Sequence, residues 1–265
     1  MSEIATRDDA QFILLGFGTV GALAGLSVSN IEPSTSWESR GPTLLAGKGL
    51  PVSGWKSLSD YGFGAVNMGV AGYYVGQVND DPEHQLSRLA GYGTAMMLTF
   101  GTVQVTKIAV GRERPDRSDN KGFFSGHTAF SFASSVYLST DLIHTYGSDY
   151  PGTVAPVVAL SLGSAALVGL ARNGANKHYW EDIVTGAAVG SGLALASYYT
   201  FVTPEERHDT KHRPSGRGGA ILGGLGIAGG VVASWISETL FSDESVAVLP
   251  SGSAETAGLT VAGQF

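Results

Sequence analysis

The sequence predicts an all-α fold, a bundle of about six or seven helices followed by a small C-terminal β-hairpin. The main observation is a set of long windows without Asp, Glu, Lys, Arg or His, each about as long as a membrane-crossing helix. These windows span residues 10–31, 61–79, 89–106, 150–171, 183–204 and 218–237. A further helix is predicted over about 126–145.

After residue 240 the long apolar windows give way to short alternating runs. Residues 246–249 and 259–265 flank the turn residues Pro-Ser-Gly-Ser, and alternation around such residues is typical of a β-hairpin. We therefore predict a helical domain over 1–240, with its motif core over 107–182, and a hairpin tail over 241–265.

Composition narrows the environment and the partners of the chain. Hydrophobic residues make up 43%, charged residues 15%, and 38 residues are Gly, which suits closely packed helices in water or in lipid. The mean hydropathy of +0.11 is low for a chain made mostly of membrane spans, so both environments stay open, with membrane association favoured. The net charge of −7 argues against nucleic acid as a partner. The absence of Cys excludes disulfides, zinc–thiolate sites and a Cys nucleophile.

The first of three unusual polar segments is Lys107-Ile-Ala-Val-Gly-Arg-Glu-Arg114-Pro115. If a helix persists to Gly111 and ends at Pro115, Lys107 and Arg114 lie two turns apart on roughly one face. Two fixed cations suit a dianionic phosphate, with lysine as a point charge and arginine as a planar fork. The helix dipole alone also favours lysine and arginine at a helix C-terminus.

The second segment is Phe124-Ser125-Gly126-His127-Thr128, at the start of the helix predicted over 126–145. Ser125 can cap this helix, and Gly126 lets a phosphate approach the N–H groups of the first turn. His127 lies beside them, where it can protonate a leaving alkoxide. An ordinary serine cap with a surface histidine would give the same pattern.

The third segment contains Arg172, His178 and Asp182. If a helix begins near His178, Asp182 lies on the same face and can accept a hydrogen bond from one imidazole nitrogen. That bond fixes the tautomer and leaves the other nitrogen as a nucleophile, while Arg172 adds a third cation. A capped helix start with an incidental His–Asp pair is the alternative.

Together, Lys-x6-Arg-Pro, Ser-Gly-His and Arg-x5-His-x3-Asp resemble the three signature motifs of the type 2 phosphatidic acid phosphatase and vanadium haloperoxidase superfamily. The resemblance covers about 107–182. It implies that His178 is the nucleophile, that Asp182 orients it, and that His127 protonates the departing alcohol and then activates water. It implies no metal and no cofactor, although vanadate can occupy the phosphate site.

The resemblance also implies the groups that bind the phosphate oxygens. These are Lys107, Arg114, Arg172, Ser125 and the N–H of Gly126. Two positions depart from the family pattern: Phe124 replaces the usual proline, and Ala171 replaces the usual serine. Neither supplies a side chain assigned to the chemistry. The nearby cations extend the positive field over the pocket mouth or form a solvated rim; they are Arg112, Arg117, Lys121 and Lys177.

Successive antiparallel helices would bring the three motifs to one end of the bundle. We expect the pocket to open there, near the connections 29–56 and 107–124. The function that this predicts is a metal-independent phosphatase for phosphate monoesters, with phosphorylated lipids, lipid diphosphates or small phosphate esters as substrates. We expect a cell-envelope, membrane-associated protein whose site faces the periplasm or the outside.

Two other functions stay open. The same ligand set can hold vanadate in a vanadium-dependent haloperoxidase, although those enzymes are usually larger and the connection 115–124 is short. A non-catalytic protein that binds phosphate or lipid is the other possibility, although binding alone needs neither a nucleophile nor an acid. The N-terminus lacks the positive region of a secretory signal, so we expect either no cleaved signal or a sequence that begins after one.

Overall fold

The computed structural model describes residues 43–46, 48–209, 217–240, 247–253 and 256–262, with single positions 14, 18, 19 and 21. The fold is all-α, as predicted, and the described residues form seven helices. They are α1 (Val52–Asp80), α2 (Pro82–Val110), α3 (Gly126–Tyr146), α4 (Pro151–Gly174), α5 (Trp180–Phe201), the single turn α6 (Pro204–Arg207) and α7 (Arg217–Leu240). Almost all of the helix predicted over 10–31, and much of the connection 29–56, lie outside the described residues.

Helix α2 ends earlier than the sequence pattern predicted. Gly111 follows the helix in the left-handed conformation (φ 60°), and its N–H bonds to the Lys107 carbonyl at 3.0 Å. Glycine adopts this conformation without steric cost and stops the helix. The prediction that the helix reaches Pro115 was therefore wrong, and Arg114 lies in the following loop instead of sharing a helix face with Lys107.

The starts of α3 and α5 differ in how well they were predicted. Ser125 caps α3 by accepting a hydrogen bond from a first-turn N–H, as expected. Helix α5 begins at Trp180 because Tyr179, the N-cap, is extended. His178 thus precedes the helix, and the prediction that His178 and Asp182 share a helix face was wrong.

Helix α3 lies at the centre of the bundle and contacts α1, α2, α4 and α5. Beside the middle of α3 the core is a cluster of buried tyrosine rings, one from each of four helices. The ring of Tyr137 meets those of Tyr74, Tyr92 and Tyr198 edge to face, with centroids 5.4, 5.8 and 5.3 Å away. These are favourable aromatic geometries, and the rings fill the space that small residues leave between the helices.

A buried ion pair lies beside these rings, at the end of the bundle away from the three motifs. Arg88 Nε is 2.9 Å from Asp141 Oδ1, and both side chains are 4% exposed. The hydroxyls of Tyr74 and Tyr198 donate to Asp141 at 3.3 Å, and Arg88 also donates to the Glu206 carbonyl at 2.8 Å. Such additional hydrogen bonds are what offsets the desolvation cost of a buried ion pair.

Helix α7 packs mainly along α1, with the two backbones in near contact. A Cβ added at Gly72 would overlap the Leu222 carbonyl, and a Cβ added at Gly230 would overlap the Gly64 carbonyl. Small residues at such crossings allow the close approach that helices use when they pack in membranes.

Two of the described helices, α4 and α7, are long and apolar enough to cross a membrane. Core helices of soluble proteins can pass the same test, but they are mostly buried. Only 28% and 17% of these two spans lie buried in the bundle. Exposed large apolar side chains on α7 include Ile221, Leu225, Val232 and Trp235. An apolar surface of this extent favours contact with lipid or with a partner.

Two strands, β1 (Ala247–Ser253) and β2 (Thr256–Ala262), follow the helices. They pair antiparallel, with Ala247 opposite Ala262. An isolated two-stranded hairpin is marginally stable in water. The fold class therefore rests on the helices, and the hairpin as a stable element stays a prediction.

We expect Asp141→Asn to lower the free energy of unfolding by about 3–5 kcal/mol, because the variant leaves the buried Arg88 without a counter-charge. Chemical denaturation in detergent micelles, followed by circular dichroism, measures the change. The matched control is Asp149→Asn, at an exposed position, with an expected effect within about 0.5 kcal/mol. Similar losses in the two variants would contradict a stabilising role for the pair.

Candidate active site

The three motifs meet at one end of the bundle, as the topology predicted. The backbone N–H of Ser125, before α3, bonds to the Asp182 carbonyl of α5 at 3.0 Å. Arg114, after α2, reaches His178, before α5, with 3.5 Å between Nη1 and Nε2. The C-terminal end of α2 and the N-terminal ends of α3 and α5 therefore surround one site.

His178 is buried in the loop between α4 and α5, with 1% of its side chain exposed. Its Nδ1 lies 2.7 Å from the carbonyl oxygen of Gly122. Because a carbonyl oxygen only accepts, Nδ1 must carry the proton, and Nε2 keeps its lone pair. This Nε2 is the atom that faces Arg114.

The electrostatics of the site keep His178 neutral. Burial lowers its pKa well below the ordinary value, and the charges of Arg114, Arg172 and Lys107 lower it further. The Nε2 lone pair is thus available throughout the physiological pH range. The same three cations that the motifs predicted for phosphate binding act together on this ring.

Asp182 has different partners from those expected. Its Oδ2 lies 3.8 Å from His178 Nδ1, which is an ion-pair distance and too long for a hydrogen bond. The same oxygen accepts the Tyr179 N–H at 2.9 Å, and Oδ1 pairs with Arg112 at 2.6 Å. Burial raises the pKa of Asp182 to about 6, although Arg112 opposes the rise. In this structure the Gly122 carbonyl, and not Asp182, fixes the tautomer of His178.

Arg112 lies in the interior, whereas the sequence placed it at the pocket mouth or on a solvated rim. Its side chain is fully buried, and its two terminal nitrogens pair with Asp182 and Glu181, at 2.6 Å each. The guanidinium also lies over the Tyr179 ring, 4.4 Å from its centroid. Arg112 therefore anchors the start of α5 to the loop after α2.

Lys107 and Gly126 lie side by side at the facing ends of α2 and α3. A Cβ built at Gly126 would lie 3.8 Å from Lys107 Nζ. Burial lowers the pKa of Lys107 to about 8, and the charges of Arg114 and Arg172 add to this effect. Cations held this close repel one another, and a bound anion would relieve that repulsion.

The two arginines predicted to bind phosphate are also held by carboxylates. Arg114 Nε pairs with Asp119 at 2.6 Å, and Arg172 Nη1 pairs with Asp60 at 3.2 Å. The Nε of Arg172 is buried, and no described residue accepts a hydrogen bond from it. Unpaired buried donors are rare in native structures, so this atom suits a ligand oxygen.

Ser125 caps α3 and can also donate a hydrogen bond. Its Oγ accepts hydrogen bonds from the N–H and the hydroxyl of Thr128, at 3.4 and 2.9 Å. A hydroxyl has two acceptor lone pairs and one donor, so both acceptors are used and the O–H remains to donate. The capping interpretation and the phosphate-donor interpretation are therefore compatible.

His127 is the most exposed of the three predicted catalytic residues, with 33% of its side chain exposed. Its Nε2 lies 3.2 Å from Asp60 Oδ1, and its ring packs on Phe63 at a centroid distance of 4.5 Å. Partial burial, with the charges of Arg172 and Lys107 contributing, lowers the pKa of His127 to about 4, whereas Asp60 raises it. A bound phosphate dianion would add to the effect of Asp60.

Within the part of the chain that the structure describes, no group of three or more His, Asp or Glu side chains could hold a metal ion. Metal independence nevertheless stays a prediction.

Of the other cations near the motifs, Lys177 pairs with Asp116 at 2.7 Å and links the loops on either side of the site.

Residues 88–205, which contain all three motifs, match the family model of the PAP2 superfamily. The match covers somewhat less than half of the 265 residues, and over that range the chain is similar to this superfamily. It is 36% identical over 110 residues to lipid phosphate phosphatase 2 of Arabidopsis thaliana. It is 35% identical over 105 residues to lipid A 1-phosphatase of Porphyromonas gingivalis, and 27% identical over 108 residues to phospholipid phosphatase 1 of Mus musculus.

These alignments cover 40%, 39% and 40% of this chain. The chain spans 37%, 22% and 38% of the lengths of the three relatives. No solved structure matches the chain significantly.

Three groups of this site make contacts that were not predicted from the sequence: Arg112, the Gly122 carbonyl and Asp60. Arg112 lies within the first motif, but its spacing does not distinguish an inward side chain from an outward one. The Gly122 carbonyl could not be predicted, because every residue has a backbone carbonyl and the residue type does not show which one contacts His178. Asp60 directly precedes the apolar window 61–79, and that position was the one available signal.

We expect Arg112→Met to lower the free energy of unfolding by about 3–5 kcal/mol, because Asp182 would be left buried without its counter-charge. Chemical denaturation in detergent micelles measures the loss. Arg117→Met, at an exposed position of the same loop, is the control, with a change within about 0.5 kcal/mol. If both variants were equally stable, the ion pairs of Arg112 with Asp182 and Glu181 would not be what anchors this loop.

Proposed function

We propose that the chain is a phosphatase that hydrolyses phosphate monoesters through a phosphohistidine on His178, without a metal ion. The observation that carries the proposal is the unprotonated Nε2 of a buried, neutral His178, which faces Arg114 at 3.5 Å. A fixed cation can bind the phosphate oxygens while the lone pair approaches the phosphorus in line.

In the first step, Nε2 of His178 forms a bond to phosphorus as the bond from phosphorus to the leaving oxygen breaks. His127 gives a proton to that oxygen, so the alcohol departs neutral. Charge on the transferred group is spread over its non-bridging oxygens, and preorganised donors around them stabilise the transition state. The donors proposed for this role are Lys107, Arg114, Arg172, the Ser125 hydroxyl and the Gly126 N–H.

In the second step, His127 takes a proton from water as the water oxygen attacks phosphorus. The phosphorus–nitrogen bond breaks, inorganic phosphate leaves, and His178 regains its neutral form. The Gly122 carbonyl accepts from Nδ1 in both steps and keeps the ring oriented. Three fixed cations supply the charge neutralisation that metal ions supply at other phosphoryl-transfer sites.

The proposed substrates are lipid phosphates or lipid diphosphates, with small phosphate esters as the second class. The names of the relatives refer to lipid phosphate, lipid A and phospholipid. The exposed apolar surfaces of α4 and α7 also support a membrane setting, where such substrates are found. We propose a cell-envelope location with the site facing the periplasm or the outside.

The first test is phosphate release from para-nitrophenyl phosphate and from phosphatidate, in detergent micelles with EDTA present. We expect His178→Ala to lower kcat by about 10³-fold or more, because the nucleophile is lost. The control is His144→Ala, because His144 lies at the C-terminal end of α3, away from the site. Wild-type activity that EDTA abolishes would contradict the metal-free mechanism.

A second measurement tests the covalent intermediate. With para-nitrophenyl phosphate labelled in its phosphoryl group, whose phenolate leaves without a proton, we expect His127→Ala to accumulate labelled protein, because water is no longer activated. The label should be stable to base and labile to acid, as phosphohistidine is, and should be absent from the double variant His127→Ala/His178→Ala. Label on any other residue would contradict the assignment of His178.

If the folded wild-type protein releases no phosphate from either ester, the phosphatase proposal fails. Halide oxidation by peroxide with added vanadate would then identify a haloperoxidase that uses the same ligand set. Binding of inorganic phosphate without any turnover would instead identify a binding protein.

The pH dependence of kcat/KM gives a further prediction. Because the pKa of Lys107 is lowered to about 8, this cation loses its proton as the pH rises through 8. We therefore expect kcat/KM to fall above about pH 8, and to fall only at higher pH in Lys107→Arg, whose side chain stays charged. An alkaline limb that does not move in the variant would assign this titration to another group.

A further inference from the structure

Asp60 is a carboxylate that contacts both the predicted acid and a predicted phosphate-binding cation. It lies on α1, outside the matched residues 88–205 and outside the three motifs. Its side chain is 25% exposed, and its Oδ1 is 3.2 Å from both His127 Nε2 and Arg172 Nη1. The hydroxyl of Ser59 donates to the same oxygen at 3.1 Å.

We propose that Asp60 is a positioning residue that orients His127 for proton transfer, an inference that rests on the proposed phosphatase function. An ionised carboxylate only accepts, so its contact places a proton on Nε2 of His127. The proton exchanged with the substrate is then the one on Nδ1. It passes from Nδ1 to the leaving oxygen in the first step, and a proton of water returns to Nδ1 in the second.

The ring of His127 is held from two sides. Phe63, one turn after Asp60 on α1, packs against the ring at a centroid distance of 4.5 Å. One segment of α1 therefore supplies both the packing surface and the hydrogen-bond acceptor. Two such contacts fix the plane of the ring and its rotation, which proton transfer to a bound substrate requires.

The charges around His127 give Asp60 a second effect. The charged groups that face the ring are Asp60 from α1, Lys107 from α2 and Arg172 from α4. Burial and the two cations disfavour the protonated ring, and Asp60 is the group among them that favours it. Without Asp60, a smaller fraction of His127 would be protonated. The first step needs this protonated ring as its acid.

Phosphate binding alone does not account for an acidic residue at this place. A carboxylate beside a phosphate dianion weakens anion binding by repulsion and takes up part of the charge of Arg172. If Asp60 only held Arg172 in place, its loss would slow every substrate equally. If it serves His127, its loss would matter only where the leaving group needs a proton.

The experiment compares n-octyl phosphate, whose alkoxide is a poor leaving group, with para-nitrophenyl phosphate, whose phenolate leaves without a proton. The variant is Asp60→Asn, which keeps the shape and removes the charge, and the control is the exposed Asp149→Asn. The quantity is kcat/KM, which reports steps up to phosphohistidine formation and is insensitive to the later hydrolysis. Inhibition by inorganic phosphate measures anion binding in parallel.

We expect Asp60→Asn to lower kcat/KM for the octyl ester by about 10–100-fold, part of the usual contribution of a general acid. For the nitrophenyl ester we expect less than about a threefold change, with phosphate inhibition unchanged or tighter. Asp60→Glu should restore part of the octyl activity.

Equal losses on both esters, together with weaker inhibition by phosphate, would overturn the proposal and assign Asp60 to Arg172. Unchanged kcat/KM for both esters would also overturn it. A wild-type protein that is inactive on both esters would instead refute the proposed function. The two failures are therefore distinguishable.

Discussion

The buried ion pair between Arg112 and Asp182 joins the loop after α2 to the first turn of α5, and the geometry of the site depends on it. Both side chains are fully buried, so neither charge is tolerable without the other. The same loop carries Arg114 and the Gly122 carbonyl, and both contact the ring of His178. The pair thus holds His178 and Arg114 in a fixed relation.

For Asp182 the motif correctly predicted a position next to His178, but it did not predict which group the carboxylate bonds to. The spacing of four residues suggested a direct hydrogen bond to His178 along one helix face. The extended conformation of Tyr179 removed that geometry, because it starts the helix two residues later and makes Asp182 part of the cap. Asp182 then acts on the loop through Arg112, while a backbone carbonyl contacts the imidazole.

The charge-free windows predicted most of the helices well, because an apolar run bounded by charges is a local property of the chain. Because successive helices of a bundle run in opposite directions, the order of the helices also correctly predicted that the three motifs lie at one end of the bundle. Asp60 could not be assigned in this way, since it precedes His127 by 67 positions and the contact depends on how α1 packs. The end of α2 was missed because Gly111 stopped the helix before the proline did.

Helix α1 contacts both the candidate active site and helix α7. Near its start it contacts His127 and Arg172, and over its middle it lies backbone to backbone against α7. Helices in such close contact have few pliable side chains between them to absorb a displacement. A shift of α7, imposed by whatever surrounds its exposed apolar face, would therefore move α1 as well. The environment of α7 and the ring of His127 are in this sense mechanically connected through one helix.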